Sequence, residues 1–205
     1  MSEPNLTPLR AKRLSKSDRR RQLLDVAREM LRCDGAEGLT LATLAARAGV
    51  SKPVAYDHFE TRSGLLIAML EDTSRYYESD AEAKIAQAPA TVPAIAAIVA
   101  EAYVQCAIAA GPAMTVLAAA AAADTDARDT GRAMQRDHAA SFQQAFAPIL
   151  APGSMPLEPL YKGLVAAANA LCDECMQDDM SAADAIEMLT HLLVTSLTPF
   201  ALTRH

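Results

Sequence analysis

Tryptophan is missing from this 205-residue chain, and phenylalanine, tyrosine and glycine are scarce, at four, five and eight copies. With so few glycines there is no Gly-rich phosphate loop, and no nucleophile elbow, zinc-protease motif or spaced set of carboxylates is present either. The common seats of enzyme chemistry are therefore lacking. The chain is expected not to be an enzyme, with no catalytic residues and no cofactor. Cysteine is also sparse. The four copies are Cys33, Cys106, Cys172 and Cys175, and the Cys172-x-x-Cys175 pair has no second C-x-x-C to complete a zinc set. His138 and His191 lack a clear ligand partner, so no metal is expected. Positions three apart share a helix face, and two small apolar residues in an interface are the plainer reading of that pair. A thiol switch is the alternative. The N-terminus is polar and charged, without the apolar core of a signal peptide. The longest apolar runs are alanine-rich, and too short or too weakly hydrophobic to span a membrane. A cytoplasmic protein with reduced thiols is expected, without a membrane partner.

Alanine and aliphatic residues are what the chain does have. Hydrophobic residues make up 51% and charged residues 21%, which suits a folded globular protein. Alanine is the best helix former and a poor strand former, so the fold class is all-α. The net charge of −6 hides an asymmetry. Residues 1–76 hold 13 Lys/Arg against 10 Asp/Glu, a net of +3, whereas residues 77–205 hold 6 against 15, a net of −9. The basic density peaks at Arg10, Lys12, Arg13, Lys16, Arg19, Arg20 and Arg21. A nucleic-acid-binding head on an acidic body has this distribution; so does a merely solvated basic tail.

Residues 1–16 read as a flexible basic arm. A first helix is expected from a cap at Ser17, with Leu23, Leu24, Ala27, Met30 and Leu31 on one face, ending at a left-handed Gly35. Thr40 opens a short second helix that stops at Gly49. Ser51 is placed to cap a third, with Pro53 in its first turn. Thr61 or Ser63 starts a fourth. Beyond Tyr77, helices are expected near 93–110, 112–123 and 126–147, with a break at Gly111-Pro112. A loop marked by Pro148, Pro152, Gly153 and Pro156 follows, then helices near 157–177 and 181–201. The domain reading is an arm (1–16), a helix-turn-helix domain (17–60), a connecting helix (61–80) and a helical body (81–205), about nine helices in all.

The stretch Leu39 to Phe59, LTLATLAARAGVSKPVAYDHF, carries the functional signal. Gly49 suits a tight turn between two short helices, which Leu44, Ala45, Val50 and Ala55 would pin together. The second helix of such a pair leads into the major groove with its N-terminus, where unpaired N–H groups favour phosphate. Ser51 and Lys52 put a hydroxyl and an ammonium at that end. Tyr56 and His58 are placed to reach phosphates, and Arg62 continues the positive edge. Tyr56 and His58 also fit a second reading, as aromatic packing within the three-helix unit, and Lys52 and Arg62 as solvated charges.

From about Arg20 to Leu70 the chain resembles the DNA-binding region of the tetracycline-repressor (TetR) family. The resemblance rests on the helix ending at Gly35, the LATLAARAGVS segment, Tyr56-x-His58-Phe59, Arg62 and Leu65. It implies phosphate contacts from Thr40, Ser51, Tyr56, His58 and Arg62, and base or groove contacts from Lys52, Pro53 and Val54. Two positions depart from the family pattern. Ala42 stands where relatives often carry a basic or polar base-reading residue, and Asp57 sets a negative charge near the expected phosphates.

A helix-turn-helix head binds usefully as a pair spaced by about one turn of the double helix, ~34–36 Å. A homodimer on a palindromic double-stranded operator is thus expected. The last two helices offer the stripes Leu164, Ala168, Leu171, Cys175 and Leu189, Leu193, Leu197, read either as a four-helix dimer interface or as core within the chain. The resemblance implies that the middle helices enclose a pocket for a small-molecule effector. Tyr103, Cys106, Met114, Phe142 and Phe146 are the lining candidates, with Glu101 and Gln105 as polar handles or a solvated edge. Few bulky side chains and many alanines suit a small, largely apolar ligand. The expectation is a regulator of transcription, a repressor released from its operator by that ligand; the alternatives are gating by thiol oxidation or a protein partner, and a helical enzyme or metal protein that uses the cysteines and histidines.

Overall fold

The computed structural model describes residues 14–121, 125–151 and 157–202. The fold is all-α, and the chain divides into two compact units, Met1–Arg62 and Ser63–His205. Most of the expected basic arm, residues 1–13, lies outside the described residues.

The first unit is a three-helix head. Helix α1 (Lys16–Gly38) is capped by Ser15, two residues earlier than the expected Ser17, with the Asp18 amide donating to Ser15 Oγ at 3.0 Å. Its apolar stripe Leu23, Leu24, Ala27, Met30 and Leu31 is buried as the periodicity requires. Gly35 kinks α1 instead of ending it. At φ 70°, ψ −172° it sits in a region that essentially only glycine occupies, and one more helical turn follows before Leu39. Helix α2 (Leu41–Arg47) starts in a reciprocal cap. The Thr43 amide donates to Thr40 Oγ1 at 3.1 Å, and the Thr40 amide donates to Thr43 Oγ1 at 3.0 Å.

The turn out of α2 is a Schellman motif. The Gly49 amide donates to the Ala46 carbonyl (3.2 Å) and the Val50 amide to the Ala45 carbonyl (2.9 Å), while Gly49 adopts φ 66°. An L-residue at that φ is strained, so glycine here fixes the angle at which helix α3 (Lys52–Phe59) departs. Leu44, Ala45, Ala55 and Phe59 are all buried, and α2 packs on both α1 and α3.

The second unit begins within helix α4 (Arg62–Ile85) and continues with α5 (Val92–Ala121), α6 (Thr125–Phe146), α7 (Glu158–Met176) and α8 (Ala182–Leu197). The expected break at Gly111-Pro112 does not occur, and α5 runs through it. Gly111 answers to packing, because a Cβ there would lie 3.1 Å from Sδ of Met176 on α7. By length and composition alone, the uninterrupted α5 is apolar enough to cross a membrane, contrary to the expectation from shorter runs. Its face of Ile95, Ala96, Val99, Ala100, Tyr103 and Val104 is buried in the body's core.

Helix α8 supplies the opposite wall with Ala185, Leu189, Leu193 and Leu197, four residues at a spacing of four and all fully buried. It stops at Leu197, short of the expected 201, where Thr198–Phe200 tightens into a 3₁₀ turn. Ala201 then bridges to Leu150 after α6, through Ala151 N to Phe200 O (2.8 Å) and Leu202 N to Ile149 O (2.9 Å).

The stripes read as a candidate dimer interface lie mostly inside the chain. Leu164, Ala168, Leu189, Leu193 and Leu197 belong to this core, and Leu171 and Cys175 pack half-buried against its edge. An amphipathic stripe shows that a helix has a covered face. It does not show whether the cover belongs to the same chain.

Candidate functional site

Two sites take shape, one in each unit. In the head, the N-terminal end of α3 and its outer face are open to solvent. Ser51, Lys52, Pro53 and Tyr56 are exposed, and Val54 is half-buried. Ser51 precedes α3 in extended conformation, but its hydroxyl makes no capping bond, contrary to expectation. That hydroxyl is therefore left to a ligand or to water, whereas Pro53 has no N–H and the Val54 amide donates to the Ser51 carbonyl at 3.0 Å. Tyr56, 48% exposed, is not the buried aromatic that the packing reading required.

His58 is half-buried and its ring meets Phe59, with centroids 5.9 Å apart. Burial first, then the Arg20 guanidinium, holds its imidazole below the usual range, so it is neutral near pH 7. Arg20 clamps this corner. It donates to the His58 carbonyl at 2.9 Å and lies 5.0 Å from the Phe59 ring centroid. The sequence pattern had placed Arg20 only within a basic run.

Thr40 and Arg62 are differently committed. The Thr40 hydroxyl is part of the α2 cap. Arg62 donates from Nε to the Leu39 carbonyl (2.8 Å) and from a terminal nitrogen to the Ala36 carbonyl (2.5 Å). It ties the start of α4 to the α1–α2 connection. Ala42 is half-buried on α2, and Asp57 is exposed on α3.

In the body, three helices enclose a cavity of about 450 Å³. Each contributes one face at helical spacing. From α4 come Ser74, Tyr77, Glu78, Ala81, Glu82 and Ile85. Val99, Ala102, Tyr103 and Cys106 come from α5, and His138, Ser141, Phe142 and Ala145 from α6.

Tyr103 is the organising side chain. Its hydroxyl donates to Asn169 Oδ1 on α7 at 2.8 Å and lies 3.4 Å from His138 Nδ1. Its ring stands edge-on to His138 and to Phe142, with centroids 5.1 and 5.4 Å away. Burial raises the Tyr103 phenol and lowers the His138 imidazole, so both are neutral near pH 7. Of the five residues expected to line a pocket, Tyr103, Cys106 and Phe142 do so. Phe146 is fully buried core, and Met114, half-buried further along α5, is not part of the lining. Glu101 is paired with Lys84 at 3.4 Å at an exposed edge, and neither it nor Gln105 reaches the cavity.

The cysteines do not form a centre. Cys172 is buried, and burial pushes its thiol up to about 12. Cys175 Sγ lies 3.7 Å from the Ser181 carbonyl. Among the described residues no three His, Cys, Asp or Glu side chains are grouped to hold a metal.

Residues 23–69, which include all of α2 and α3, match the family model "Bacterial regulatory proteins, tetR family". Over 62 residues the chain is 42% identical to the HTH-type transcriptional activator FasR of Mycolicibacterium smegmatis. The head, over residues 23–69, is of the TetR type. The match to FasR spans 30% of this chain and 28% of that relative, so it speaks for the TetR-family head. The fold likeness extends further. A tetR-family transcriptional regulator from Streptomyces coelicolor superimposes with a TM-score of 0.66 at 17% identity, covering 89% of this chain and 81% of that one. The multidrug binding protein EbrR, solved in complex with imidazole, gives 0.60 at 19% identity, covering 91% and 97%. The chain thus pairs a TetR-type DNA-binding helix-turn-helix head with a helical body that holds a cavity.

Sequence reasoning found the α5 and α6 walls of the cavity in part and missed the α4 wall. The signal was there. Positions 74, 77, 78, 81, 82 and 85 follow one helical face, but their mixture of serine, tyrosine, glutamate and alanine gives no apolar stripe.

Proposed function

We propose that the protein is a repressor of transcription that binds a palindromic DNA operator as a cytoplasmic homodimer and is released by a small, largely apolar molecule. One observation carries the reading. Helix α4 opens at Arg62, bonded to the carbonyls of the head, and twelve residues on it begins to line the cavity. The helix that carries the head's last bond is thus also a wall of the cavity. A ligand that favours one placement of the head shifts operator affinity by a typical allosteric coupling of ~1–3 kcal/mol, roughly 5–150-fold.

In this reading, Ser51, Lys52 and Tyr56 make phosphate and groove contacts from the exposed end of α3, and His58 joins them from its half-buried corner. Thr40 and Arg62 chiefly position the helices. The dimer forms through the outer faces of α7 and α8. There Gly163, Ala166 and Ala170 are small and exposed, and Met188 on α8 is 47% exposed. Small residues let facing helices approach closely, and Met188 supplies apolar area to bury. Thiol gating is disfavoured because Cys172 is buried and held in its unreactive protonated form.

The test is fluorescence anisotropy with the chain's own upstream DNA and a scrambled duplex at two salt concentrations. Cognate binding about 10³-fold tighter, with steep salt dependence, is the expected result. A folded protein that binds neither duplex at low salt overturns the proposal. Molecules that dissociate the complex then identify the effector, and an operator contact that only recruits polymerase would replace repression by activation.

A further inference from the structure

Among the described residues, the charges that line the cavity are all of one sign. Glu78 and Glu82 lie on its α4 wall, and among the described residues no lysine or arginine lines it. Among the described residues neither carboxylate has an ion-pair partner, and the one contact to Glu78 is the Ser141 hydroxyl, which donates to Oε1 at 3.2 Å. Lys84, the nearest base in sequence, is held elsewhere by Asp80 (2.9 Å) and Glu101 (3.4 Å). His138 supplies no charge, since burial keeps its imidazole neutral near pH 7. Two carboxylates one helical turn apart repel each other and weaken the helix, a cost that a cation between them removes. The rest of the wall is suited to an apolar body with positive charge. Tyr77, Tyr103 and Phe142 present aromatic rings, whose faces attract cations, and Ile85, Val99 and Ala102 are aliphatic. Both glutamates are solvent-exposed residues, which sets them at the mouth, with the aromatic and aliphatic wall behind.

We infer that the cavity takes an amphipathic organic cation, with its ammonium or amidinium group between Glu78 and Glu82 and its apolar body against Tyr103 and Phe142. The inference rests on the reading of this cavity as the effector site and adds the charge that the effector carries. A carboxylate of the same shape is repelled, and an uncharged isostere forgoes both the ion pairing and the attraction of the rings.

Three probes of one shape decide the matter by calorimetric titration of the intact protein. They are phenylpropyltrimethylammonium, its uncharged isostere with carbon in place of nitrogen, and phenylpentanoate. The cation binds tightest, and the Glu78→Gln/Glu82→Gln double variant weakens it roughly ten-fold while leaving the isostere unchanged. The same double variant, without ligand, melts at the same or a slightly higher temperature, because like-charge repulsion is gone. If the isostere or the carboxylate binds at least as well as the cation, or the double variant binds the cation undiminished, the inference is overturned while the effector cavity stands. If none of the three binds the folded protein at millimolar concentration, the inference and the effector reading fall together.

Discussion

Lys52 and Arg62 are both cations near the expected DNA surface, yet the structure gives them different work, and a paired substitution separates the two. Arg62 spends two charged N–H groups on the carbonyls of Leu39 and Ala36, at 2.8 and 2.5 Å. A hydrogen bond involving a charged group contributes ~1.5–3 kcal/mol when buried. One of this pair is part-buried and the other exposed, so Arg62→Ala should cost the head about 2 kcal/mol in all. Lys52 is exposed and has no hydrogen-bond or ion-pair partner among the described residues, so Lys52→Ala should leave stability within about 0.5 kcal/mol. The DNA readout reverses the order. A lost phosphate contact lowers the slope of log affinity against log salt by ~0.9 per head. Lys52→Ala should show that loss, and Arg62→Ala should weaken binding with the slope nearly unchanged. Native-state hydrogen exchange of the α2 amides reports the stability half, and anisotropy across a salt series reports the other. If Arg62→Ala keeps full exchange protection while removing a full unit of slope, Arg62 is a phosphate contact and the positioning argument is wrong.

Four further outcomes are expected. Gly49→Ala should destabilise the head by ~1–2 kcal/mol, purely from its left-handed φ because an added Cβ meets nothing within 4 Å, and Gly49→Asn should cost less; equal costs for the two would refute the conformational origin. Leu193→Ala should lower unfolding stability by ~2–5 kcal/mol at every protein concentration, whereas an interface residue would show its effect as dimer dissociation on dilution. Tyr103→Phe should cost ~1–2 kcal/mol, read by denaturant titration, since Asn169 Oδ1 loses its donor inside the body; an unchanged midpoint would mean that the bond carries no net stability. Burial holds His58 and His138 below the usual imidazole value of about 6.5, so as pH falls through ~6.5 the unfolded chain takes up protons before the folded one does. Stability should therefore be full above that pH and decline below it toward the folded-state values, and replacing both histidines by glutamine should flatten the thermal-melt profile across that window.

The head was legible in the sequence because its signals are local. The Thr40 cap, the Gly49 turn, Pro53 at the start of α3 and the Leu44/Ala45/Ala55/Phe59 pinning residues all act within about twenty residues, and each settles its own dihedral or contact. The same locality explains two slips. Ser15 and Ser17 are both good caps, and only the chain's actual entry angle selects Ser15. Glycine at position 35 signalled an end, but it kinks the helix instead, and one further turn follows before Leu39.

Sequence alone thus determined the all-α class, the helix-turn-helix and its exposed α3 edge, and an alanine-rich body with few bulky side chains. Tertiary structure decided which apolar faces meet each other. Periodicity marks a covered face without naming its cover, so Leu189, Leu193 and Leu197 suited a dimer as well as they suit the core that they occupy. The cavity was likewise a tertiary fact. Its α4 wall is a mixed stripe of Ser74, Tyr77, Glu78 and Glu82 that looks like ordinary solvated helix until α5 and α6 are packed beside it. A cavity is space that side chains from three helices fail to fill. No single segment of sequence encodes that failure, because the volume depends on how the helices pack.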